Sequence, residues 1–486
     1  METLQRREVG CSGGRSGRGP ATWGQEAIWS VVRDLGADAA RYNVSTSSPV
    51  PPGVSLDLVL ESLSKLMLLH DSLRTRLLPT GSGALEQVVD AAGSIPIVCC
   101  QYGSGAGVAT SAGGAEGGDG DEAGIDRMGR ALLDELAKEP FDTAREWPVR
   151  VGVVEAGGEV RHMAFVLAHT AVDAWGLQRM ILNLTSLALG ESPEWISEQR
   201  PGLQPLEEAA FQGSPRGRRQ DAAARRHWRE TLRRGPARLF PAEPGALDGP
   251  LFPNAVLRSP ALGTAVRRVA AGRQASSSSV LLAATAAMLC RISGSPDAVL
   301  QIVVNNRFLP RLTNSVSTVA QEGLFHLADV GTKDGDSSFP DLVRRAHAAS
   351  LAAYRHAYYD KALLDQEIAQ MQAENGATTD RSCILNDYRG LIPQMADAQP
   401  DPGSDRPSAP VDLVRERDRT TLSWPVEFEP RRNVTFALDA LDVLDGSGSL
   451  DLAMTADGAV LPRSDMERFL VGIEDLIVGD ALELGE

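Results

Sequence analysis

Apolar side chains recur every three or four residues in several stretches of the chain, which is the spacing of one helix face. Residues 55–69 give the clearest example, and Ser55 is suited to cap the helix that they predict. Residues 276–292 begin with a run of serines and are apolar on most faces, so we expect a buried helix there. Further helices are predicted at 340–356, 362–373 and 464–478.

Short apolar runs predict strands between these helices. Residues 149–156 and 160–168 flank a Gly-Gly pair, which is typical of a hairpin of two buried strands. Helical spacing resumes after residue 173, so the second strand should pass into a helix through residues 169–173. Other strands are predicted at 298–304, around 433–438 and around 450–455.

This alternation of helices and strands predicts a mixed α/β protein of two lobes. We place an N-terminal lobe at 21–195 and a C-terminal lobe at 196–486. Three segments hold too few large apolar side chains to offset the entropy lost on ordering. They predict a flexible N-terminal tail at 1–20, a flexible insertion at 103–124 and a flexible loop at 394–410.

Charge and cysteine content narrow the possible partners. The 486 residues include 48 Lys and Arg against 64 Asp and Glu, a net charge of −16, which repels phosphate backbones and argues against nucleic acid. The five cysteines lack CxxC spacing, so neither a zinc site nor a disulfide scaffold is expected. No signal-peptide core and no apolar run of about 18 residues occurs, and we expect a cytoplasmic protein without a membrane partner.

The sequence lacks several common motifs of nucleotide and metal chemistry. It contains no P-loop, no GxGxxG turn between a strand and a helix, and no HExxH pair. Residues 10–14 fit the pattern GxSxG, but no strand is predicted before them, and a nucleophile elbow needs one. We therefore expect neither a nucleotide cofactor nor a metal ion.

His169 and Asp173 form the pattern HxxxD at the end of a predicted buried strand. A histidine there can project into a cleft as a general base, and the aspartate can orient the turn by hydrogen bonding. The spacing alone is weak, because His356 and Asp360 form a second match in a helical stretch. The structural alternative is a half-buried His169 with satisfied partners and an Asp173 that caps the next helix.

Six segments, in order, resemble the condensation domains of nonribosomal peptide synthetases, and their ordered agreement is stronger than HxxxD alone. They match the opening helix motif at 21–29, RHExLRTxF at 68–77, the PFDL and PLxR strand at 139–154, HHxxxDG at 168–174, the bridge between lobes at 204–212 and 225–232, and the Gly-Arg and VGxF region at 305–325. The resemblance implies a two-lobed pseudo-dimer of chloramphenicol-acetyltransferase-like subdomains with a tunnel between the lobes.

The resemblance also implies roles for individual residues. His169 takes the position of the second histidine, which is associated with catalysis. Asp173 takes that of the aspartate, usually structural and paired with an arginine, for which Arg307 is the candidate. Arg74 matches the arginine of LRT, which implies a role in the fold.

Two positions depart from the family's pattern. Ala168 replaces the first histidine, which is mainly architectural in the family. Ala174 replaces a glycine that normally lets pantetheine or the acceptor approach the helix start, and its methyl group would narrow that entry. Ala174, Trp175 and Gly176 are accordingly our candidates for residues of the substrate channel.

The resemblance leaves two functions open. The first is a stand-alone acyltransferase that joins the acyl group of a carrier-protein thioester, or less readily of CoA, to an amine or alcohol in specialised-metabolite biosynthesis. It would form an amide or an ester without a cofactor, since the thioester is already activated. The second is an inactive condensation-like module that recruits carriers or tailoring enzymes. With no room for an adenylation or carrier domain in 486 residues, we expect a monomer that meets its carrier in trans.

An arginine-rich stretch stands out in this acidic chain. Nine arginines lie between residues 216 and 238. They form a candidate docking face for an acidic carrier or its phosphopantetheine phosphate. The alternative is a solvated helix face with local ion pairs.

Overall fold

The structure is a computed structural model that describes residues 4–81, 83–103, 119–240, 251–332, 337–376, 380–391, 412–425, 434–443 and 447–485. Within these residues the strands are β1 (Leu4–Cys11), β2 (Gly17–Pro20), β3 (Val44–Pro49), β4 (Thr75–Pro79), β5 (Leu85–Val89), β6 (Gly93–Gln101), β7 (Val149–Ala156), β8 (Glu159–Leu167), β9 (Asn254–Ser259), β10 (Ala298–Val304), β11 (Gln321–Leu327), β12 (Cys383–Asp387), β13 (Thr421–Ser423), β14 (Phe436–Asp442) and β15 (Leu450–Ala456). The helices are α1 (Trp23–Leu35), α2 (Leu56–Leu69), α3 (Asp119–Ala137), α4 (Ala174–Ala188), α5 (Pro193–Gln199), α6 (Pro205–Gln212), α7 (Pro215–Arg234), α8 (Leu262–Arg273), α9 (Ser277–Ser293), α10 (Phe339–Arg355), α11 (Lys361–Asn375), α12 (Leu413–Arg417) and α13 (Arg463–Glu483).

The elements predicted from hydrophobic spacing are present. Ser55 caps α2 by accepting a hydrogen bond from the backbone N–H of Leu58 at 3.2 Å. β7 and β8 form the predicted hairpin, and its turn places Gly157 and Gly158 at φ values of 63° and 85°, which glycine adopts without strain. α9 occupies the predicted buried position, with Ser276 as its N-cap.

The chain divides into two compact units. The first comprises Met1–Arg218 and Asn305–Ala320, and the second comprises Arg219–Val304 and Gln321–Glu486. We expected the division at residue 195, but α5 and α6 belong to the first unit, where the side chain of Gln87 donates a hydrogen bond to the backbone of Pro205. Residues 305–320 leave the second unit after β10 and rejoin it at β11, a return that hydrophobic spacing does not reveal.

The first unit is built on a five-stranded sheet in the order β1-β6-β7-β8-β3. α2 and α4 cover one face, where Leu63 and Met180 pack with Val151 in one apolar cluster. α3 packs on the other face through a smaller cluster that includes Leu132 and Val154. A separate three-stranded sheet, in the order β2-β5-β4, completes the unit. Because β8 lies in the interior of its sheet, its last residue delivers the chain directly from the core into the turn before α4.

The second unit is built on a seven-stranded sheet in the order β11-β10-β12-β14-β15-β9-β13. β12 runs parallel to both β10 and β14, and the other pairs are antiparallel. α9 contacts α8, α10 and α13, and every residue from Ser279 to Cys290 is buried. Burial of nearly the whole helix in the core explains why its sequence shows no broad polar face.

The prediction of a flexible tail at 1–20 is wrong, because β1 and β2 fall within it. β1 pairs with β6 along its whole length and directs Val9 and Cys11 into the core, while β2 pairs with β5. The two inward side chains and the ladder of backbone hydrogen bonds keep β1 ordered at the edge of its sheet, although many of its side chains are polar. A strand therefore does precede Ser12, but β2 follows it instead of a helix, so the turn is not a nucleophile elbow.

The other two segments expected to be flexible are largely outside the described residues. Of the insertion at 103–124, residues 119–124 form the first part of α3, and residues 104–118 lie outside. The loop at 394–410 lies wholly outside. In the part of the chain that the structure describes, no single helix is long and apolar enough to cross a membrane, although α8 and α9, bent by 102°, pass that test together by length and composition.

Candidate active site

His169 lies in the turn that joins β8 to α4. The strand before it is buried, and the imidazole itself is half-buried. Its ring stacks on that of Tyr42, with the centroids 5.2 Å apart and the planes inclined by 24°. Tyr42 is the last residue of the 3-10 helix Gly36–Tyr42. The stack fixes the plane of the imidazole, which a base needs if it is to meet a nucleophile at a defined angle.

Asp173 caps α4 and is saturated with donors. Its carboxylate accepts hydrogen bonds from the backbone N–H of Gly176 at 2.7 Å and from those of Val319 and Ala320 at 2.9 Å each. Nη1 of Arg307 lies 2.9 Å from one carboxylate oxygen and 3.0 Å from the other. The structural alternative considered for this residue, an N-cap, is therefore what the structure contains.

These donors determine the charge of Asp173. Burial of the carboxyl opposes ionisation, but the charge and hydrogen bond of Arg307 and the backbone donors outweigh it, and the pKa of Asp173 lies below its usual range. Asp173 is consequently a fixed anion at neutral pH. Its hydrogen bonds hold the turn in place.

Arg307 joins the returning segment 305–320 to the helix start. Besides Asp173, its guanidinium donates to the carbonyl groups of Ser315 and Ser317 at 3.0 Å each. The side chain is 7% exposed. The pair suggested by the family resemblance thus exists within the first unit, and it draws residues 315–320 onto the first turn of α4.

Gly176 is the position at which this segment comes closest to α4. A Cβ atom built there would lie 2.8 Å from the carbonyl oxygen of Ser317 and 3.1 Å from Nη2 of Arg307, closer than side chains normally pack. Gly24 plays the same part at the start of α1, where a Cβ would lie 2.0 Å from the carbonyl oxygen of Thr318. This close approach is to the protein's own segment 315–320, and it is distinct from the approach of pantetheine or the acceptor expected beside residue 174.

The three residues predicted to line a channel differ in their exposure. Ala174 and Trp175 are half-buried, while Gly176 is buried under residues 315–320. Ala168, at the position of the family's first histidine, is 4% exposed and packs with Phe141 and Val166. The departure at Ala168 therefore lies in a buried apolar cluster.

Arg74 lies in the interior of the first unit. Its guanidinium is fully buried and pairs with Asp71 at 2.7 Å. It also donates to the carbonyl groups of Met67 at 2.7 Å and Arg15 at 3.0 Å, and to that of Asp90. These bonds join α2, the loop between β1 and β2, and the turn between β5 and β6.

A second polar chain in this unit escaped sequence reasoning. The fully buried His70 meets Asn183 of α4, with Nε2 and the amide nitrogen 3.1 Å apart. The amide oxygen of Asn183 accepts from Arg200 at 3.0 Å. Desolvation lowers the pKa of His70 to about 3, so the imidazole is neutral. His70 stands in the LRT segment, but nothing in the spacing indicates a partner 113 residues away.

The second HxxxD match has a different environment. His356 follows the last residue of α10, and Asp360 caps α11. The His356 ring stacks on His227 with centroids 4.4 Å apart. The spacing of His356 and Asp360 therefore reflects the end of α10 and the start of α11, and a helix, not a strand, precedes this pair.

The cavity of the first unit lies away from the HxxxD turn. A cavity of about 630 Å³ opens in the first unit between β6 and the end of α3, lined by residues that include Arg6, Asp90 and Trp147, but by none of residues 168–176. Among the described residues, no three His, Cys, Asp or Glu side chains lie close enough to hold a metal ion. The ordered features around His169 are thus the Tyr42 stack, the Asp173 cap and the Arg307 pair.

The family profile described as "Condensation domain" matches residues 17–381, which is most of the chain and includes both halves of the Asp173–Arg307 pair. The chain belongs to the condensation-domain family. The predicted fold class, mixed α/β with chloramphenicol-acetyltransferase-like architecture, is confirmed by the solved condensation domains described next.

Solved structures resemble this condensation domain along nearly all its length. The condensation domain of the monacolin K polyketide synthase MokA superposes with a TM-score of 0.66 at 14% identity, covering 96% of this chain and 98% of that one. SgcC5 of Streptomyces globisporus gives 0.63 at 17% identity, covering 96% and 99%. At these identities the likeness establishes the fold alone.

Relatives of the condensation domain in sequence are much longer proteins. It is 26% identical to the isonitrile lipopeptide synthase of Mycobacterium tuberculosis over 356 residues, which is 69% of this chain and 13% of that protein. It is 24% identical to CymA of Salinispora arenicola, a probable non-canonical nonribosomal peptide synthetase, covering 69% of this chain and 4% of that protein. The chain thus spans 13% or less of the length of these relatives.

Proposed function

We propose that this condensation domain is an acyltransferase that forms an amide or ester bond between a carrier-bound acyl thioester and an amine or alcohol, with His169 as its catalytic residue. The observation that carries the proposal is the placement of His169 at the exit of a buried strand, between the Tyr42 ring and a turn held by Asp173 and Arg307. Relatives of the domain in large peptide synthetases support carrier-bound substrates.

The proposed reaction balances without a cofactor. The nitrogen or oxygen of the acceptor attacks the thioester carbonyl and gives up its proton to the His169 imidazole, and the carbon–sulfur bond breaks. The departing thiolate then takes the proton, which restores neutral His169. General base catalysis by a positioned histidine contributes roughly 10²- to 10⁴-fold, and alignment of the acceptor adds to it.

The surroundings of His169 favour this role over a purely structural one. Asp173 is already paired with Arg307 and three backbone donors, so it does not need His169 as a partner. Five donor contacts and two glycines are arranged to hold this single turn. Such support is characteristic of a site whose geometry must be reproducible.

The alternative function is a condensation-like module that binds carriers without catalysis. It is motivated by Ala168 and Ala174, which replace two residues of the family motif. The burial of Ala168 among Phe141 and Val166 weakens this alternative, because the substitution removes no group from the His169 turn. Binding and turnover, measured separately, discriminate the two functions.

The deciding experiment compares the wild type with His169→Ala. Loaded carrier proteins are offered with amine and alcohol acceptors, and the products are measured by intact mass spectrometry. We expect His169→Ala to lose roughly 100-fold or more in turnover while its carrier affinity is unchanged. His356→Ala, the matched control from the second HxxxD pattern, should retain activity.

Two results would overturn the proposal. Equal turnover by wild type and His169→Ala removes His169 from catalysis. Carrier binding by both proteins, without product from any donor and acceptor, establishes the binding module instead.

A further inference from the structure

The arginines on the inner face of helix α7 form ion pairs, whereas arginines on its outer face do not. On the inner face, Arg225 pairs with Asp221 at 2.9 Å and with Glu367 of α11, and Arg229 pairs with the same Glu367 at 3.3 Å. Trp228 is buried and lies edge-on to Tyr359 with the ring centroids 5.5 Å apart. These contacts fix the rotation of the helix about its own axis within the second unit.

The outer face carries what we call the arginine stripe, Arg219, Arg226 and Arg233. All three side chains are exposed and seven residues apart, so they follow one line along the helix. At 1.5 Å per residue the stripe is roughly 21 Å long. Arg234 stands beside its end, and Glu230 is the acidic residue in the same region.

The arginine stripe has no acidic partner within the described part of the chain. The side chains of Arg219, Arg226 and Arg233 form neither an ion pair nor a hydrogen bond with another described residue. The side chains of Arg225 and Arg229, in contrast, are paired. The protein as a whole carries a charge of −16. These guanidinium groups place positive charge along one line of a protein whose net charge is negative.

We propose that the arginine stripe is a docking surface for an acidic helix face on the carrier protein. This inference rests on the proposed function, which supplies the carrier. A partner with several carboxylates spaced along about 20 Å fits the stripe, because guanidinium groups bind carboxylates through paired N–H donors. The charge of −16 repels such a partner elsewhere, so the stripe both attracts it and fixes its orientation.

The test measures carrier binding directly, so that it does not depend on turnover. Fluorescence anisotropy of a labelled, phosphopantetheinylated carrier is recorded with wild type and with Arg226→Glu/Arg233→Glu. We expect the variant's Kd to rise at least about tenfold at 50 mM salt and the difference to shrink at 300 mM, as screening shortens the reach of charges. Arg226→Lys/Arg233→Lys, which keeps the charge but loses the paired N–H donors, should have a Kd between those of the wild type and the glutamate variant.

The matched control changes the same charge elsewhere. Arg127→Glu/Arg130→Glu reverses two exposed arginines on α3 that make no ion pair with another described residue, and it shifts the net charge equally. It should leave the Kd within about twofold of the wild type. Turnover of a small acyl-pantetheine donor, which lacks the carrier, should be unaffected in both variants.

Three outcomes would overturn the docking surface. The first is an unchanged Kd in Arg226→Glu/Arg233→Glu, which would show that the stripe is a solvated helix face without a binding role. The second is an equal loss in the control, which indicates net charge alone. The third is loss of retention on a DNA or heparin column without loss of carrier binding, which assigns the stripe to polyanions. None of these depends on His169, so the proposed acyl transfer stands or falls separately.

Discussion

The side-chain amide of Asn183 donates to Nε2 of His70 across 3.1 Å, and its direction is set by Arg200, which occupies the amide oxygen. Nε2 of His70 must therefore accept, which requires a neutral imidazole. A protonated ring would present N–H to N–H in a fully buried site. The lowered pKa of His70, about 3, expresses the same constraint.

This relationship predicts how stability depends on pH. Between pH 6.5 and about 3, the unfolded chain binds a proton at residue 70 and the folded chain does not, so stability falls as pH falls, by about 1.4 kcal/mol per pH unit from this residue. Above pH 6.5 both states are neutral. We expect the stability advantage of wild type over His70→Gln to shrink by about 2 kcal/mol between pH 7 and pH 5. Urea unfolding at both pH values measures it, and parallel profiles would contradict the prediction.

A second prediction concerns Arg307→Met. Loss of the guanidinium leaves Asp173 buried with its charge uncompensated, which costs about 3–5 kcal/mol at neutral pH. Burial then raises the pKa of Asp173, so protonation relieves the penalty, and the gap to wild type should narrow as pH falls. Adding Asp173→Asn to Arg307→Met should recover part of the loss. A double-mutant cycle by chemical denaturation checks this, and simple additivity would show that the pair is not coupled.

A third prediction compares two neighbouring positions of α4. Gly176→Ala places a methyl group 2.8 Å from the carbonyl oxygen of Ser317, so residues 315–320 must shift, at a cost of about 1–3 kcal/mol. Ala174→Gly, which restores the family's residue, should change stability by less than about 1 kcal/mol, because it only removes a methyl near the helix start. Thermal unfolding of both variants tests the contrast. Equal destabilisation would mean that the close approach at residue 176 is unimportant.

A fourth prediction concerns the missing first histidine. Ala168→His inserts a large polar ring beside Phe141 and Val166, where the cluster is already packed. We expect a loss of about 1–3 kcal/mol and no gain in turnover. Differential scanning calorimetry and the mass-spectrometric assay measure the two effects. A variant that is both stable and faster would instead show that the alanine limits catalysis.

Sequence patterns located several elements whose formation depends on neighbours along the chain. Helical spacing and Ser55 located α2, and the strand before His169 was evident from its apolar run. The candidate Arg307 came from family resemblance, not from spacing. In contrast, the Tyr42 stack, the Asn183–His70 bond and the glycine requirement at 176 depend on contacts between residues far apart in sequence, for which a single sequence carries no local signal.

The edge strand β1 shows a different limit. Its inward residues include only one large aliphatic side chain, Val9, among polar neighbours, so composition favoured a tail. Pairing with β6 supplies the ordering that composition could not indicate. The alternation of inward and outward side chains in β1 covers only eight residues, and its arginines make that pattern hard to recognise in the sequence.

The return of residues 305–320 to the first unit sets an order for biosynthesis. Arg307 lies 134 residues after Asp173 in the chain, so the ribosome adds it long after the carboxylate that it pairs with. At about 5–20 residues per second this interval lasts about 7–27 s. During that time the turn that carries His169 has a buried carboxylate without its counter-charge, so the nascent first half cannot reach its final geometry until the second half is under construction.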